Sequence, residues 1–187
     1  MSQSEERPPH STLTKKIVPN YQTLRQITNG LRAASNRIVL TLGSYDMLHI
    51  GHVRYLMRAK AQGDYLIVGV DSDSAIQRYK GPHRPLIPQD ERTEMLSYLN
   101  CVDFITLVDD VDQRGKWQYG LLKMIRPTIF VAVEDSYPES QRKVIRKYSG
   151  ELVVFPRQAE RTSSTDIFQR LIQNLPLLME SADRRST

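Results

Sequence analysis

Five apolar runs of strand length recur along the chain, at residues 37–42, 65–70, 104–108, 128–133 and 151–155, each nearly unbroken in Val, Ile, Leu and Phe. A strand with one wet face alternates apolar and polar residues, so continuous runs predict strands covered on both faces. Helical periodicity fills the gaps at 21–34, 52–61, 89–99, 116–125, 139–148 and 164–175. This alternation predicts a doubly wound, Rossmann-like α/β fold: a mostly parallel five-stranded sheet with helices on both faces, joined by right-handed crossovers. Ligands of such folds bind beyond the carboxyl ends of the strands. Residues 1–13 and 181–187 offer nothing to bury and are expected to be tails around one domain over 14–180. The sequence has no internal repeat.

With 187 residues and 40% hydrophobic content, the chain suffices for one well-filled core. Its 26 basic and 21 acidic residues leave a net charge of +5, with no block of like charge. That mild excess suits an anionic metabolite and gives no reason to invoke nucleic acid. The single cysteine, Cys101, excludes an internal disulfide and fits a reducing compartment. Its apolar surroundings read as those of a small buried thiol. No apolar run approaches the roughly 20 residues that cross a bilayer, and the polar N-terminus lacks a signal-peptide core. A soluble, cytoplasmic protein without a membrane partner is expected.

The chemistry concentrates at His49-Ile50-Gly51-His52, which follows the first strand across the turn Gly43-Ser44-Tyr45-Asp46. Two imidazoles where a strand hands over to a helix face an anion that the helix's free N–H groups already attract. By residue type alone, such a pair also serves to cap a helix or to ligate a metal. A Gly/Pro-punctuated loop, Tyr79 to Pro85, carries Lys80 and Arg84 toward the same strand ends. Arg92 sits in the first turn of the next helix, a poor place for a cation, and is expected either to be exposed or to point at the anion. Arg161-Thr162-Ser163-Ser164-Thr165-Asp166 precedes the last helix. One hydroxyl there makes an ordinary N-cap; three behind an arginine suggest a grip on a phosphate tail. Glu134 and Asp135 follow the fourth strand and suit substrate hydroxyls, magnesium or plain solvation. Trp117 and Tyr119 read as packing aromatics.

With these stations in order, the chain resembles the cytidylyltransferase-like nucleotidyltransferases, whose HxGH signature is read as His49-Ile50-Gly51-His52 and whose Ser/Thr-rich turn is matched by Arg161 to Thr165. The similarity runs over residues 16–175. It extends in particular to the heptose-1-phosphate adenylyltransferase domain, through Asp46-Met47-Leu48-His49, Gly69-Val70-Asp71-Ser72-Asp73, Lys80-Gly81 and Arg84-Pro85. Two departures stand out. Val131-Ala132-Val133-Glu134-Asp135-Ser136-Tyr137 replaces a lysine and paired glycines, and Gly43-Ser44-Tyr45 replaces a commoner Gly-Cys-Phe. The first lies where the acceptor or nucleoside is expected.

The resemblance implies attack by a phosphate oxygen of a small metabolite on the α-phosphorus of a nucleoside triphosphate, with release of pyrophosphate. A phosphomonoester is already largely dianionic at neutral pH, its second pKa being about 6, so no general base is needed. On this reading His49 and His52 donate to phosphate oxygens, and Lys80 holds acceptor and α-phosphate together. Arg92 and Arg161 share the remaining charge, while Ser163, Ser164 and Thr165 grip the pyrophosphate. Gly43, Ser44, Tyr45 and Gly51 line the nucleotide; Asp46, Arg84, Glu134 and Asp135 line the acceptor, with Asp46 also expected to order its turn. Mg²⁺ arrives with the triphosphate, held mainly by phosphates. ATP with a sugar phosphate such as heptose 1-phosphate leads. CTP with glycerol, choline or ethanolamine phosphate is the alternative, and a silent nucleotide-binding protein or a metal hydrolase built on His49, His52 and Asp46 are readings from other classes. The apolar last helix suggests a homodimer.

Overall fold

Unbroken apolar strands need cover on both faces, and the computed structural model provides it. It describes residues 14–159 and 162–183. The five strands are β1 (Ile38–Gly43), β2 (Tyr65–Asp71), β3 (Phe104–Val108), β4 (Ile129–Val133) and β5 (Glu151–Phe155). All pair in parallel, in the order β3-β2-β1-β4-β5. The helices are α1 (Tyr21–Ala33), α2 (Ile50–Lys60), α3 (Asp73–Lys80), α4 (Gln89–Ser97), α5 (Gly120–Ile125), α6 (Glu139–Tyr148) and α7 (Ser164–Asp183). Alternate residues of each strand feed opposite cores. Val39, Val68 and Val131 meet Tyr55, Leu56 and Leu96 from α2 and α4 on one face. Ile38, Leu40, Ile67 and Phe130 meet Leu24, Leu121, Leu122 and Ile145 from α1, α5 and α6 on the other.

The strand order reverses at β1, which pairs with β2 on one side and β4 on the other. The connections leaving β1 and β4 therefore diverge, opening a crevice beyond their carboxyl ends, where open α/β sheets bind ligands. Tyr55 fixes α2 over this point. Its hydroxyl shares a 2.6 Å hydrogen bond with Thr41 of β1 and donates to the Val131 carbonyl of β4 at 2.8 Å.

Three elements depart from the sequence reading. Helix α3 lies in a stretch to which the sequence reading assigned no element; Ser72 is its N-cap, Oγ accepting the Ala75 N–H at 3.0 Å. Lys80 accordingly ends a helix rather than riding in a loop. Helix α5 starts at Gly120, not at 116, since Asp112 accepts the N–H groups of Arg114 and Lys116 and holds that stretch in a turn. Helix α7 runs through Asp183, past the 175 boundary and into the segment expected as a tail; Pro176 lies inside the helix but did not end it. Its Leu171, Ile172 and Leu175 are exposed. Residues 1–13 and 184–187 lie outside the described residues.

Candidate active site

Helix α2 begins with its two histidines interlocked. His49 is the N-cap, its Nδ1 accepting the Gly51 N–H at 3.1 Å. His52 Nδ1 accepts the His49 N–H over a longer 3.4 Å. The rings lie 4.0 Å apart. A ring nitrogen that accepts a backbone N–H carries no proton, so both neutral imidazoles carry theirs on Nε2, free to donate to a ligand. The capping role and the ligand role thus use opposite nitrogens. Gly51 allows this approach: a Cβ there would lie 2.8 Å from His49 Cε1 and 2.9 Å from Ala159 Cβ, in the segment after β5.

Both histidines are held neutral. Burial drives His52 down to about 4, with repulsion from His49 and Lys80 adding to it, and burial lowers His49 as well. Between pH 6.5 and 4 the unfolded chain protonates at this position while the folded chain does not, so stability falls as pH drops through that window. At about 1.4 kcal/mol per pKa unit the loss from His52 is about 3 kcal/mol. Urea unfolding at pH 7.0 and 4.5 checks this: the wild type is expected to lose that much more stability on acidification than His52→Gln.

The hydroxyl-rich turn converges on the same place from the far end of the chain. Ser164 Oγ donates to the Asp46 carbonyl at 2.6 Å across 118 residues of sequence, and Asp166 is close enough to raise the His49 pKa. Ser163 caps α7, its Oγ accepting the Asp166 N–H at 3.0 Å while donating to the Asp166 carboxylate at 2.7 Å. Two of the three hydroxyls therefore build the turn rather than face a ligand. Thr165 is exposed, and the first N–H groups of α7 have no partner within the helix by its geometry. Arg161 lies outside the described residues.

Lys80 reaches the crevice from α3. Its Nζ donates to Ser44 Oγ at 3.0 Å, and burial, then Arg84, lower its pKa. It is near enough to His52 for its charge to disfavour protonation of that ring. Gly43 ends β1 beneath the Tyr45 ring.

Four other expected ligand residues have structural work instead. Arg92 is 1% exposed. Its guanidinium donates to the carbonyls of Ile87 (2.9 Å), Asp71 (2.8 Å) and Ser44, and to Asp73 Oδ1 (2.7 Å), so it braces the ends of β1 and β2 rather than meeting an anion. Asp46 orders its turn as expected but is fully buried. It accepts from the Leu86 and Ile87 N–H groups and pairs with Arg84 at 2.9 Å, which leaves neither Asp46 nor Arg84 as a free acceptor-binding charge. Tyr45, expected to line the nucleotide, is buried and packs edge-on against His52, centroids 5.6 Å apart, where it steadies that ring.

After β4, Glu134 is exposed and its N–H donates to the Phe155 carbonyl at 2.9 Å. Asp135 pairs with Arg157 Nε at 2.7 Å. Arg157 was not anticipated, since nothing in the sequence marks it as the partner of a residue 22 positions away. Tyr79 and Asp71 were also given no role, yet Tyr79 donates to Asp71 Oδ2 at 2.7 Å beside Lys80. Trp117 packs on Tyr119 and Tyr137 and donates to Asp110, as a packing aromatic. Cys101 is half-buried, with burial raising its thiol pKa, the opposite of nucleophile activation. A cavity of about 690 Å³ between α1 and α5, bordered by Arg25, Arg32, Lys123 and Arg126, includes none of the expected site residues.

The family model for cytidylyltransferase-like proteins matches residues 40–170. The chain is 35% identical over 160 residues to the bifunctional protein HldE of Geobacter sulfurreducens, covering 83% of this chain and 31% of that one. It is 36% identical over 168 residues to the bifunctional protein HldE of Geobacter metallireducens, covering 88% and 32%. It thus spans about a third of the length of these relatives. Among solved structures, the lipopolysaccharide core biosynthesis protein of Thermoplasma volcanium superposes with a TM-score of 0.57 at 26% identity, over 66% of this chain and 99% of that one. Pantoate-beta-alanine ligase of Francisella tularensis superposes at 0.51 with 17% identity, over 81% and 74%, a likeness of fold alone.

Proposed function

The chain belongs to the cytidylyltransferase-like family, and from that premise we propose that it is a nucleotidyltransferase that transfers AMP from ATP to a sugar phosphate such as heptose 1-phosphate. The observation that carries this reading is the Ser164–Asp46 hydrogen bond: it joins the turn before α7 to the turn that presents His49 and His52, so one polyphosphate can meet both. The 35% identity to a protein named HldE and the likeness to a lipopolysaccharide core biosynthesis protein support a sugar phosphate as acceptor.

An oxygen of the acceptor phosphate attacks the α-phosphorus; the bond from that phosphorus to the bridging oxygen breaks, and pyrophosphate leaves. The attacking dianion needs no base. The chain's task is alignment and stabilisation of charge on the oxygens. The Nε2–H donors of His49 and His52 serve as neutral hydrogen-bond donors, since burial disfavours the charged imidazolium form of each. Lys80 offsets the repulsion between the two phosphates. The N-terminus of α7, with Thr165, holds the leaving pyrophosphate.

Mg²⁺ bound to the triphosphate would supply charge neutralisation at the phosphate oxygens. Among the described residues, no cluster of three or more His, Cys, Asp or Glu is placed to hold a metal, and the Asp46 carboxylate is engaged by Leu86, Ile87 and Arg84; a Mg²⁺ arriving with the triphosphate would be held mainly by phosphates. No described helix is long and apolar enough to cross a membrane.

Pyrophosphate release measured with ATP or CTP against heptose 1-phosphate, glucose 1-phosphate, glycerol 3-phosphate, phosphocholine and phosphoethanolamine tests the reading. Release with ATP and a sugar phosphate is expected. Release only with CTP and an alcohol phosphate contradicts the substrate assignment, and no release with any pair contradicts the activity.

A further inference from the structure

Asp71 is the last residue of β2, next to the end of β1, and the transfer chemistry above does not use it. Its main-chain carbonyl already receives Arg92, and the carboxylate partner of Arg92 is Asp73, not Asp71. The Asp71 carboxylate is therefore not needed to hold the strand ends. One of its oxygens, Oδ2, accepts from Tyr79 at 2.7 Å. Among the described residues, nothing donates to Oδ1. The Tyr79 hydroxyl also lies against Ser44, which receives Lys80, so Asp71, Tyr79, Ser44 and Lys80 form one polar wall of the crevice. Asp71 is only half-buried, so its Oδ1 is an open acceptor that a ligand entering the crevice can reach.

The charges along this wall sort a ligand by its parts. Lys80 attracts a phosphate, and Asp71 repels one. An ammonium at Asp71 would sit beside the like charge of Lys80, Arg92 being already paired with Asp73. A neutral hydroxyl meets neither penalty and donates the hydrogen bond that Oδ1 lacks.

We propose that Asp71, steadied by Tyr79, is an acceptor-binding residue that accepts a hydroxyl of a polyhydroxylated phosphate ester whose phosphate lies on Lys80. The inference rests on the nucleotidyl-transfer reading and narrows its acceptor to a hydroxylated class. Steady-state pyrophosphate release tests it, with ATP and whichever of heptose 1-phosphate, glucose 1-phosphate and glycerol 3-phosphate the wild type uses best, and with phosphocholine and phosphoethanolamine as controls.

In Asp71→Ala the acceptor KM is expected to rise about 10–100-fold, the range for losing a hydrogen bond to a charged group, while the ATP KM stays within about twofold and Asp71→Asn falls between. Tyr79→Phe keeps the ring, frees the carboxylate and raises the acceptor KM by a smaller factor; it decides the matter if Asp71→Ala does not fold. An unchanged acceptor KM in Asp71→Asn and Tyr79→Phe overturns the inference and leaves the transferase reading standing. So does a wild type that prefers phosphocholine or phosphoethanolamine. A wild type that binds ATP yet releases no pyrophosphate with any acceptor removes the transferase reading, and the inference with it.

Discussion

Alanine in place of His52 lowers turnover by about 10²–10³-fold, the loss typical of a preorganised donor to a charge-bearing oxygen. The effect falls on kcat more than on the ATP KM, because the Nε2–H bond strengthens as negative charge gathers in the transition state. Folding survives. The change removes a 3.4 Å hydrogen bond from the His49 N–H and an edge contact with Tyr45, together worth about 1 kcal/mol. The His49 cap, made through Gly51, remains. Single-turnover kinetics beside a thermal melt separate the two effects. Wild-type turnover in a folded variant contradicts the donor role.

Arg92→Met is expected to cost about 3–5 kcal/mol of stability, the scale for breaking a buried charge-paired network. The methionine fills similar space but leaves the carbonyls of Ile87, Ser44 and Asp71 without their donor, and Asp73 without its counter-ion. Those carbonyls belong to the ends of β1 and β2 and to the loop before α4, so the platform beneath Lys80 and the histidines loosens with them. Urea midpoints measure the loss. An anion-binding role for Arg92 makes the opposite forecast: stability intact, triphosphate affinity reduced. The two outcomes cannot be confused.

Arg92 also shows where the sequence stops being legible. A cation in the first turn of a helix looks misplaced, and a ligand was one reading of it; the alternative, that interior carbonyls from two strands and a loop demand it, depends on contacts 5 to 48 residues away that no local pattern encodes. Asp46 and Arg84 follow the same logic, each spending its charge on the other. The five strands were readable because apolar runs covered on both faces have few other uses, and 104–108 and 151–155 coincide with β3 and β5. Helix α3 was hidden because only Ala75 and Ile76 of its eight residues are buried, too few to set a period. The paired imidazoles and the hydroxyl turn could be marked by residue type and position. Their meeting could be expected from topology and resemblance, but the division of labour among the hydroxyls could not: Ser163 and Ser164 hold the turn together, which leaves Thr165 and the helix end as the groups open to an anion.

The central claim is that the turn carrying His49 and His52 and the turn opening α7 hold one polyphosphate between them. A crystal structure of the protein with Mg²⁺ and a non-hydrolysable ATP analogue tests it most directly. The account predicts Nε2 of both histidines within hydrogen-bonding distance of phosphate oxygens, and the first N–H groups of α7 on the β- and γ-phosphates of the same molecule. A triphosphate that touches one turn and leaves the other in water would contradict it.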